Sequence, residues 1–105
     1  MINSKVIGKT LYLGLSGELD EHCAQTVRKE MDEQIETSKI NKVIVELSSL
    51  KFMDSTGIGV LLGRYKKLNG KGIPMYLANP TVMIDKILLL SGLYGIMPKV
   101  DFKEA

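Results

Sequence analysis

The 105-residue chain has little of what disulfide scaffolds, metal sites and membrane proteins depend on. With one cysteine and one histidine, it cannot form an internal disulfide or a cysteine-rich metal cluster, and its catalytic repertoire is thin. The longest aliphatic run covers only residues 87–90, which is far too short to span a membrane. Residues 1–5 do not have the pattern of a secretory signal peptide. We therefore expect a cytoplasmic protein, and nothing in the composition calls for a metal or a cofactor.

A strong charge of one sign is also absent. Fourteen basic and 12 acidic residues give a formal net charge of +2, so we do not expect direct binding to nucleic acid or to an anionic membrane. What is present is ordinary for a globular protein, with 45% hydrophobic and 25% charged residues. No linker or repeat interrupts the chain, and its length fits one domain, so we expect a single domain over residues 1–105.

The first third of the chain has the pattern of a β-hairpin followed by a helix. Leucines alternate with other residues over residues 10–16, which is the period of a strand with one buried face. A shorter strand-like run covers residues 5–8, and Gly8-Lys9 is short enough for a hairpin turn, so the two strands are expected to be antiparallel. Asp20 is a candidate N-cap for the helix. The apolar stripe of that helix is Ala24, Val27, Met31 and Ile35.

The middle of the chain predicts a buried strand and a second helix. Residues 42–47 are β-branched and almost continuously apolar, which is typical of a strand covered on both faces. A helix is expected after Asp54, and it should end over residues 69–72, where Asn and Gly tolerate left-handed backbone. Its expected apolar stripe is Ile58, Leu61, Leu62, Tyr65 and Leu68.

The last third predicts another strand over residues 75–78 and a third helix over residues 81–90. Asn79 and Pro80 are the expected N-cap and first-turn proline of that helix, which should stop near Gly92. The tail from residue 96 to residue 102 has room for one more extended segment, but its proline disfavours a central strand. Strand–helix–strand units imply right-handed crossovers. The expected fold is therefore α/β, with a small mixed sheet, mostly parallel with the first strand antiparallel, packed with helices.

Residues 50–59 are the most informative stretch because they connect the buried strand to the second helix. Ligands and partners of open α/β sheets usually meet this end of a parallel strand. Asp54, Ser55 and Thr56 place a carboxylate and two hydroxyls at the helix start, and Gly57 allows close backbone approach. Helix capping is the simplest explanation. One cap uses only one such side chain, however, which leaves a surplus hydroxyl.

The glycines of this stretch do not form a nucleotide-binding motif. No Gly-Lys-Ser/Thr closes a P-loop, and Leu62 stands where a dinucleotide fingerprint needs its third glycine. Free amides at the helix start could still receive a phosphate attached to a nearby hydroxyl. Gly59 and Gly63 share one helix face, and either tight packing on the sheet or a flat shelf for a protein partner could explain them.

Three segments of the chain resemble motifs of the STAS-domain anti-sigma-factor antagonists. The longest is FMDSTGIGVLLGRYK at residues 52–66, and the others are GELD at residues 17–20 and LSGL at residues 90–93. The similarity covers essentially the whole chain. The GRYK continuation is most similar to the sporulation member of the family that controls sigma F.

The resemblance implies a switch protein rather than an enzyme. Members of the family bind an anti-sigma factor that is also an ATP-dependent serine kinase, and they thereby release the sigma factor. The kinase phosphorylates the serine after the motif aspartate, here Ser55, and a PP2C-type phosphatase reverses the modification. Thr56 is the competing hydroxyl. The expected partner-binding residues, on a chain expected to be monomeric, are Asp54, Thr56, Gly57, Ile58, Glu18 and Asp20.

A phosphate on Ser55 would add about −1.5 to −2 charges, which a helix start tolerates without refolding. We therefore expect phosphorylation to block the interface directly. Two alternatives remain open. One is a STAS domain that binds a small ligand or nucleotide, or that serves as a scaffold subunit in a signalling assembly. The other is a small hydrolase or transferase with Ser55 as nucleophile, which needs a base that His22, expected on another helix, is poorly placed to supply.

Overall fold

The computed structural model describes residues 1–101, in which strands and helices alternate as the sequence predicts. In chain order the elements are β1 (Ile2–Ile7), β2 (Thr10–Leu19), α1 (Ala24–Thr37), β3 (Lys42–Met53), α2 (Ser55–Gly70), β4 (Met75–Ala78), α3 (Val82–Ser91), a 3-10 turn (Leu93–Gly95) and β5 (Lys99–Val100). The extended segment expected in the tail is β5, and residue 102 lies outside the described residues. No helix in this part of the chain is long and apolar enough to cross a membrane.

The five strands form one sheet in the order β1-β2-β3-β4-β5. β1 pairs antiparallel with β2, and every other neighbouring pair is parallel. Gly8 makes the hairpin turn with a φ of +62°, a conformation that glycine adopts without strain. The expected mixed sheet is therefore confirmed.

The core lies between β2, β3 and β4 and the helices. The alternating leucines of β2 are between 0% and 2% exposed, and the half-buried residues between them face the other side of the sheet. The four apolar residues predicted for α1 are the four that it buries. These elements contribute to one hydrophobic cluster that also includes Ile84 and Leu88 of α3.

β2 and β3 are longer than the sequence predicts. β2 continues past Ser16 to Leu19, and β3 continues past Leu47 to Met53, so residues 50–53 are strand and not a connection. The alternation of apolar residues fails there because two bulges interrupt the pairing of the two strands, and a bulge puts two residues opposite one.

The buried stripe of α2 differs from the predicted one, because Arg64 takes a place in it. The Arg64 side chain is only 9% exposed, and its Nε lies 2.9 Å from Oδ1 of Asp32 on α1. Lys67 Nζ lies 3.0 Å from the other oxygen of Asp32. Burial lowers the pKa of Arg64, and the charge of Asp32 opposes that shift. The buried residues of α2 are Gly57, Val60, Leu61, Arg64 and Leu68, whereas Ile58, Leu62 and Tyr65 are half-buried.

The start of α3 also departs from the prediction. Thr81 is the N-cap, and its hydroxyl accepts a hydrogen bond from the Ile84 amide at 3.3 Å. Asn79 is not the cap, because its side-chain amide donates to the Glu46 carboxylate at 2.7 Å and its backbone is left-handed, with φ of 52°. The helix ends at Gly92, in left-handed backbone with φ of 80°, as predicted.

Asp85 ties α3 to the end of the described chain. Its carboxylate accepts hydrogen bonds from the Tyr94 hydroxyl at 2.5 Å and from Lys99 Nζ at 3.0 Å. The bond from Tyr94, and then that from Lys99, lowers the pKa of Asp85 below its ordinary value of 3.8. Burial, and then the bond to Asp85, raises the pKa of Tyr94 above its ordinary value of 10.0.

Candidate functional site

The candidate site lies where β2 and β3 end side by side. Their parallel register puts Glu18 opposite Phe52 and Leu19 opposite Met53. The bulge that follows Gly17, whose φ is +80°, shifts the register just before this point. Glu18 and Phe52 are exposed, whereas Leu19 and Met53 lie in the core. The motif at residues 17–20 and the longer motif at residues 52–66 therefore meet at the same edge of the sheet.

Asp54 is the N-cap of α2. Its Oδ1 accepts hydrogen bonds from the backbone amides of Thr56 at 3.0 Å and Gly57 at 3.2 Å. Its carbonyl accepts from the Ile58 amide at 3.1 Å. The expected capping role is therefore confirmed, but the expectation of free amides is wrong for Thr56 and Gly57, because the Asp54 carboxylate already accepts from both. A phosphate added here would lie outside the cap and beside an existing carboxylate.

Ser55 is the first residue of α2 and is exposed. Within residues 1–101, no group forms a hydrogen bond with its hydroxyl. Thr56 is half-buried, and Ile58 is half-buried against the core cluster. Of the two hydroxyls at the helix start, that of Ser55 is thus on the more accessible residue. It can act as an acceptor for a group delivered from outside the domain.

Gly57 is buried because α2 approaches the strand ends closely at this residue. A Cβ added to Gly57 would lie 2.5 Å from Met53 Cγ, 2.7 Å from the Leu19 carbonyl oxygen and 3.0 Å from Leu19 Cγ. Distances below 3.0 Å are closer than van der Waals contact allows, so only glycine fits without a shift. The close approach expected at Gly57 is confirmed, and this residue fixes the height of the helix start above the sheet.

Asp20 follows β2 but does not cap α1. Its Oδ1 accepts from the His22 amide at 3.0 Å, and the chain makes a turn over residues 21–23 before the helix begins at Ala24. Cys23 occupies the N-cap position without a side-chain cap bond, and its thiol donates to the Glu18 carbonyl at 2.9 Å. This turn is the reason the predicted cap is wrong, because it separates Asp20 from the helix. Asp20 remains half-buried beside the exposed Glu18.

Gly59 and Gly63 on α2 do not serve packing. A Cβ added to either would meet no atom within 4 Å, so the explanation by tight packing is wrong. Gly59 is exposed one helical turn after Ser55, and Gly63 is half-buried one turn further along α2. The two glycines, one helical turn apart, therefore leave a gap between the side chains of α2.

Within the described residues, no histidine forms a hydrogen bond with Ser55. His22 is the only histidine of the sequence. Its side chain is 85% exposed, and its Nδ1 lies 3.7 Å from Oδ1 of Asp20. The described residues contain no group of three potential metal ligands among His, Cys, Asp and Glu.

Residues 1–104 match the STAS domain family. The anti-sigma F factor antagonist of Paenibacillus polymyxa is 44% identical over 91 residues, which cover 87% of this chain and 78% of that protein. The anti-sigma F factor antagonist of Lysinibacillus sphaericus is 34% identical over 84% of this chain and 75% of that protein.

Two solved structures of an anti-sigma factor antagonist are also similar to this chain. The anti-sigma factor antagonist SpoIIAA in its unphosphorylated form is similar with a TM-score of 0.83 and 28% identity, over 99% of this chain and 90% of that one. SpoIIAA of Bacillus in its phosphorylated form is similar with a TM-score of 0.76 and 28% identity, over 99% of this chain and 93% of that one.

Proposed function

This chain belongs to the STAS domain family, and we propose that it is an anti-sigma factor antagonist whose binding is controlled at Ser55. The unphosphorylated form binds an anti-sigma factor, and this binding releases the sigma factor. As in the sporulation members of the family, the proposed partner is an anti-sigma F factor. The 44% identity to an anti-sigma F factor antagonist over most of both chains supports this assignment. The chain acts in the cytoplasm as a regulator, not as an enzyme.

The observation that carries the proposed switch is that Ser55 is an exposed residue at a helix start capped by its neighbour Asp54. We propose that the anti-sigma factor is also an ATP-dependent serine kinase that phosphorylates Ser55. A phosphate adds about −1.5 to −2 charges at pH 7. Because the Asp54 carboxylate already occupies the amides of Thr56 and Gly57, we expect the new charge to stay on the surface, where burying it in an interface is costly.

Phosphorylation is proposed to block docking without refolding the domain. SpoIIAA retains a fold similar to that of this chain in both its unphosphorylated and its phosphorylated form. Anions are tolerated at a helix N-terminus, where the helix dipole is positive. A PP2C-type phosphatase is the proposed partner that restores the binding form.

The proposed docking surface surrounds Ser55. Asp54, Thr56 and Ile58 lie on the same turn, and Glu18 and Asp20 lie at the end of the neighbouring strand. Gly57 contributes by holding the helix start close to the sheet. The gap between side chains at Gly59 and Gly63 is proposed to extend this surface along α2 and to let the partner approach the helix backbone.

The test uses purified chain, the anti-sigma F factor of Paenibacillus polymyxa and ATP. Mass spectrometry of the digested product is expected to map one phosphate to Ser55. Ser55→Ala is expected to bind the anti-sigma factor permanently, and Ser55→Asp to bind more weakly than the parent. Modification of Thr56 alone, or equal binding by the parent and both variants, would overturn the switch.

A further inference from the structure

A polar cavity lies on the face of the sheet that points away from the core. Leu13 and Leu15 of β2 are buried in the core, so Gly14 between them belongs to the opposite face. Gly14 is paired with Asn3 of β1 on one side and with Glu46 of β3 on the other. These three residues line a cavity of about 360 Å³, which is within the size range of small-ligand pockets.

Two features of the backbone open this cavity. Gly14 contributes no side chain, and a Cβ added there would lie 2.5 Å from Oδ1 of Asn3, so the Asn3 side chain reaches over β2 at this residue. The pairing of β2 with β3 then shifts, and Ser16 is opposite Ser49. Ser48 and Ser49 are consecutive in β3, yet both are exposed and both line the cavity. Bulges are frequent next to functional sites, where they re-aim side chains in this way.

The carboxylate of Glu46 is the charged group of this cavity. Its Oε1 accepts a hydrogen bond from the Ser48 backbone amide at 2.7 Å, and its Oε2 accepts from the Asn79 side-chain amide at 2.7 Å. A carboxylate has about four lone-pair positions, so each oxygen can accept a further bond. Within residues 1–101, no lysine, arginine or histidine forms an ion pair with Glu46. Glu46 is half-buried, and a cation from outside the domain would offset the cost of burying its charge.

The groups that line the cavity select the charge of its ligand. Besides the carboxylate, the described residues of the lining offer serine hydroxyls and asparagine side chains, and they include no lysine, arginine or histidine. Such a lining repels phosphates and carboxylates, and it attracts N–H donors that carry a positive charge. We infer that the cavity binds a small organic cation through its ammonium or guanidinium group, held by the Glu46 carboxylate and by the side chain of Asn3. This inference goes beyond the proposed function and does not depend on it.

The experiment titrates ¹⁵N-labelled chain with agmatine and follows the backbone amides by NMR spectroscopy. Agmatine carries a guanidinium group at one end and an ammonium group at the other. The Ser48 amide is the reporter, because it donates to Oε1 of Glu46. We expect its signal to shift saturably, with a Kd of about 1 mM or tighter. Inorganic phosphate, an anion, and glucose, a neutral polyol, are expected to leave the signal unchanged.

Three variants test which groups hold the cation. Glu46→Gln removes the charge and nearly keeps the size of the side chain, and we expect it to bind agmatine at least about tenfold more weakly. Asn3→Ala removes the side chain that lies over Gly14 and should weaken binding about fivefold. Glu21→Gln is the matched control, because Glu21 is exposed in the turn before α1 and lies outside the cavity, and we expect it to bind within about twofold of the parent. Circular dichroism spectra of all variants should coincide with that of the parent.

Several results would overturn the inference. They are the absence of a saturable shift with agmatine, equal affinities of the parent and Glu46→Gln, and saturation by phosphate or glucose instead of agmatine. If Glu21→Gln weakens binding as much as Glu46→Gln does, agmatine is attracted by the general charge of the surface and the inference is wrong. Should Glu46→Gln not fold, Asn3→Ala decides, since Asn3 is exposed and its side chain forms no hydrogen bond within residues 1–101.

Discussion

Replacing Gly57 with alanine is expected to destabilise the domain and displace the start of α2. The added Cβ would lie 2.5 Å from Met53 Cγ and 2.7 Å from the Leu19 carbonyl oxygen. The methionine can rotate, but the carbonyl belongs to the strand backbone and cannot move without the sheet. Overpacking of this kind costs about 3 kcal/mol, and the better helix propensity of alanine recovers at most about 1 kcal/mol. The expected net loss is about 2 kcal/mol.

The assay is urea unfolding followed by circular dichroism, with Gly59→Ala as the matched control. At Gly59 an added Cβ meets nothing within 4 Å, so only the gain in helix propensity applies there and the control is expected to be more stable than the parent by up to about 1 kcal/mol. The two glycines, two residues apart on one helix, should therefore give effects of opposite sign. A Gly57→Ala variant as stable as the parent, or a destabilised Gly59→Ala variant, would refute this account of the helix start.

Three further predictions concern the groups that hold the helices in place. Asp54→Ala removes the N-cap of α2 and is expected to cost about 1 kcal/mol in urea unfolding. Tyr94→Phe removes a hydrogen bond that lowers the pKa of Asp85. In urea unfolding, we expect the variant to be less stable than the parent at pH 7. The difference should shrink as the pH falls below 3.8 and through the lowered pKa of Asp85, because the protonated carboxyl no longer gains from the bond. Arg64→Ala leaves Asp32 without its buried partner. We expect thermal unfolding to show a free energy of unfolding lower by about 2 kcal/mol. The loss is smaller than for a fully buried pair because Lys67 also contacts the Asp32 carboxylate.

Much of the fold could be predicted from periodicity. The alternating leucines of β2 and the apolar stripe of α1 report burial directly, since each residue lies on the face that its spacing implies. Periodicity does not predict burial where the strand register shifts or where a charged side chain is paired in the interior. β2 and β3 continue beyond the alternating region across two shifts of register, and Arg64 takes a buried place on α2 where its side chain meets Asp32 of α1.

The candidate site was predictable in kind but not in detail. Asp54 and Gly57 have the residue types that a cap and a close approach require, and the structure has both features. The sequence did not reveal that the carboxylate of Asp54 occupies the amides of both Thr56 and Gly57. Nor did it show whether Gly59 packs against the sheet, because the sequence does not reveal which atoms surround a glycine in the folded chain.

The central claim is that an anion on the exposed Ser55 prevents docking while the domain stays folded. The most direct measurement is a calorimetric titration of the anti-sigma F factor with chain phosphorylated at Ser55 and with unmodified chain, alongside far-ultraviolet circular dichroism of both. We expect the unmodified chain to bind, the phosphorylated chain to show no measurable binding, and the two spectra to coincide. Equal affinities, or a phosphorylated chain whose spectrum shows a rearranged fold, would contradict the account.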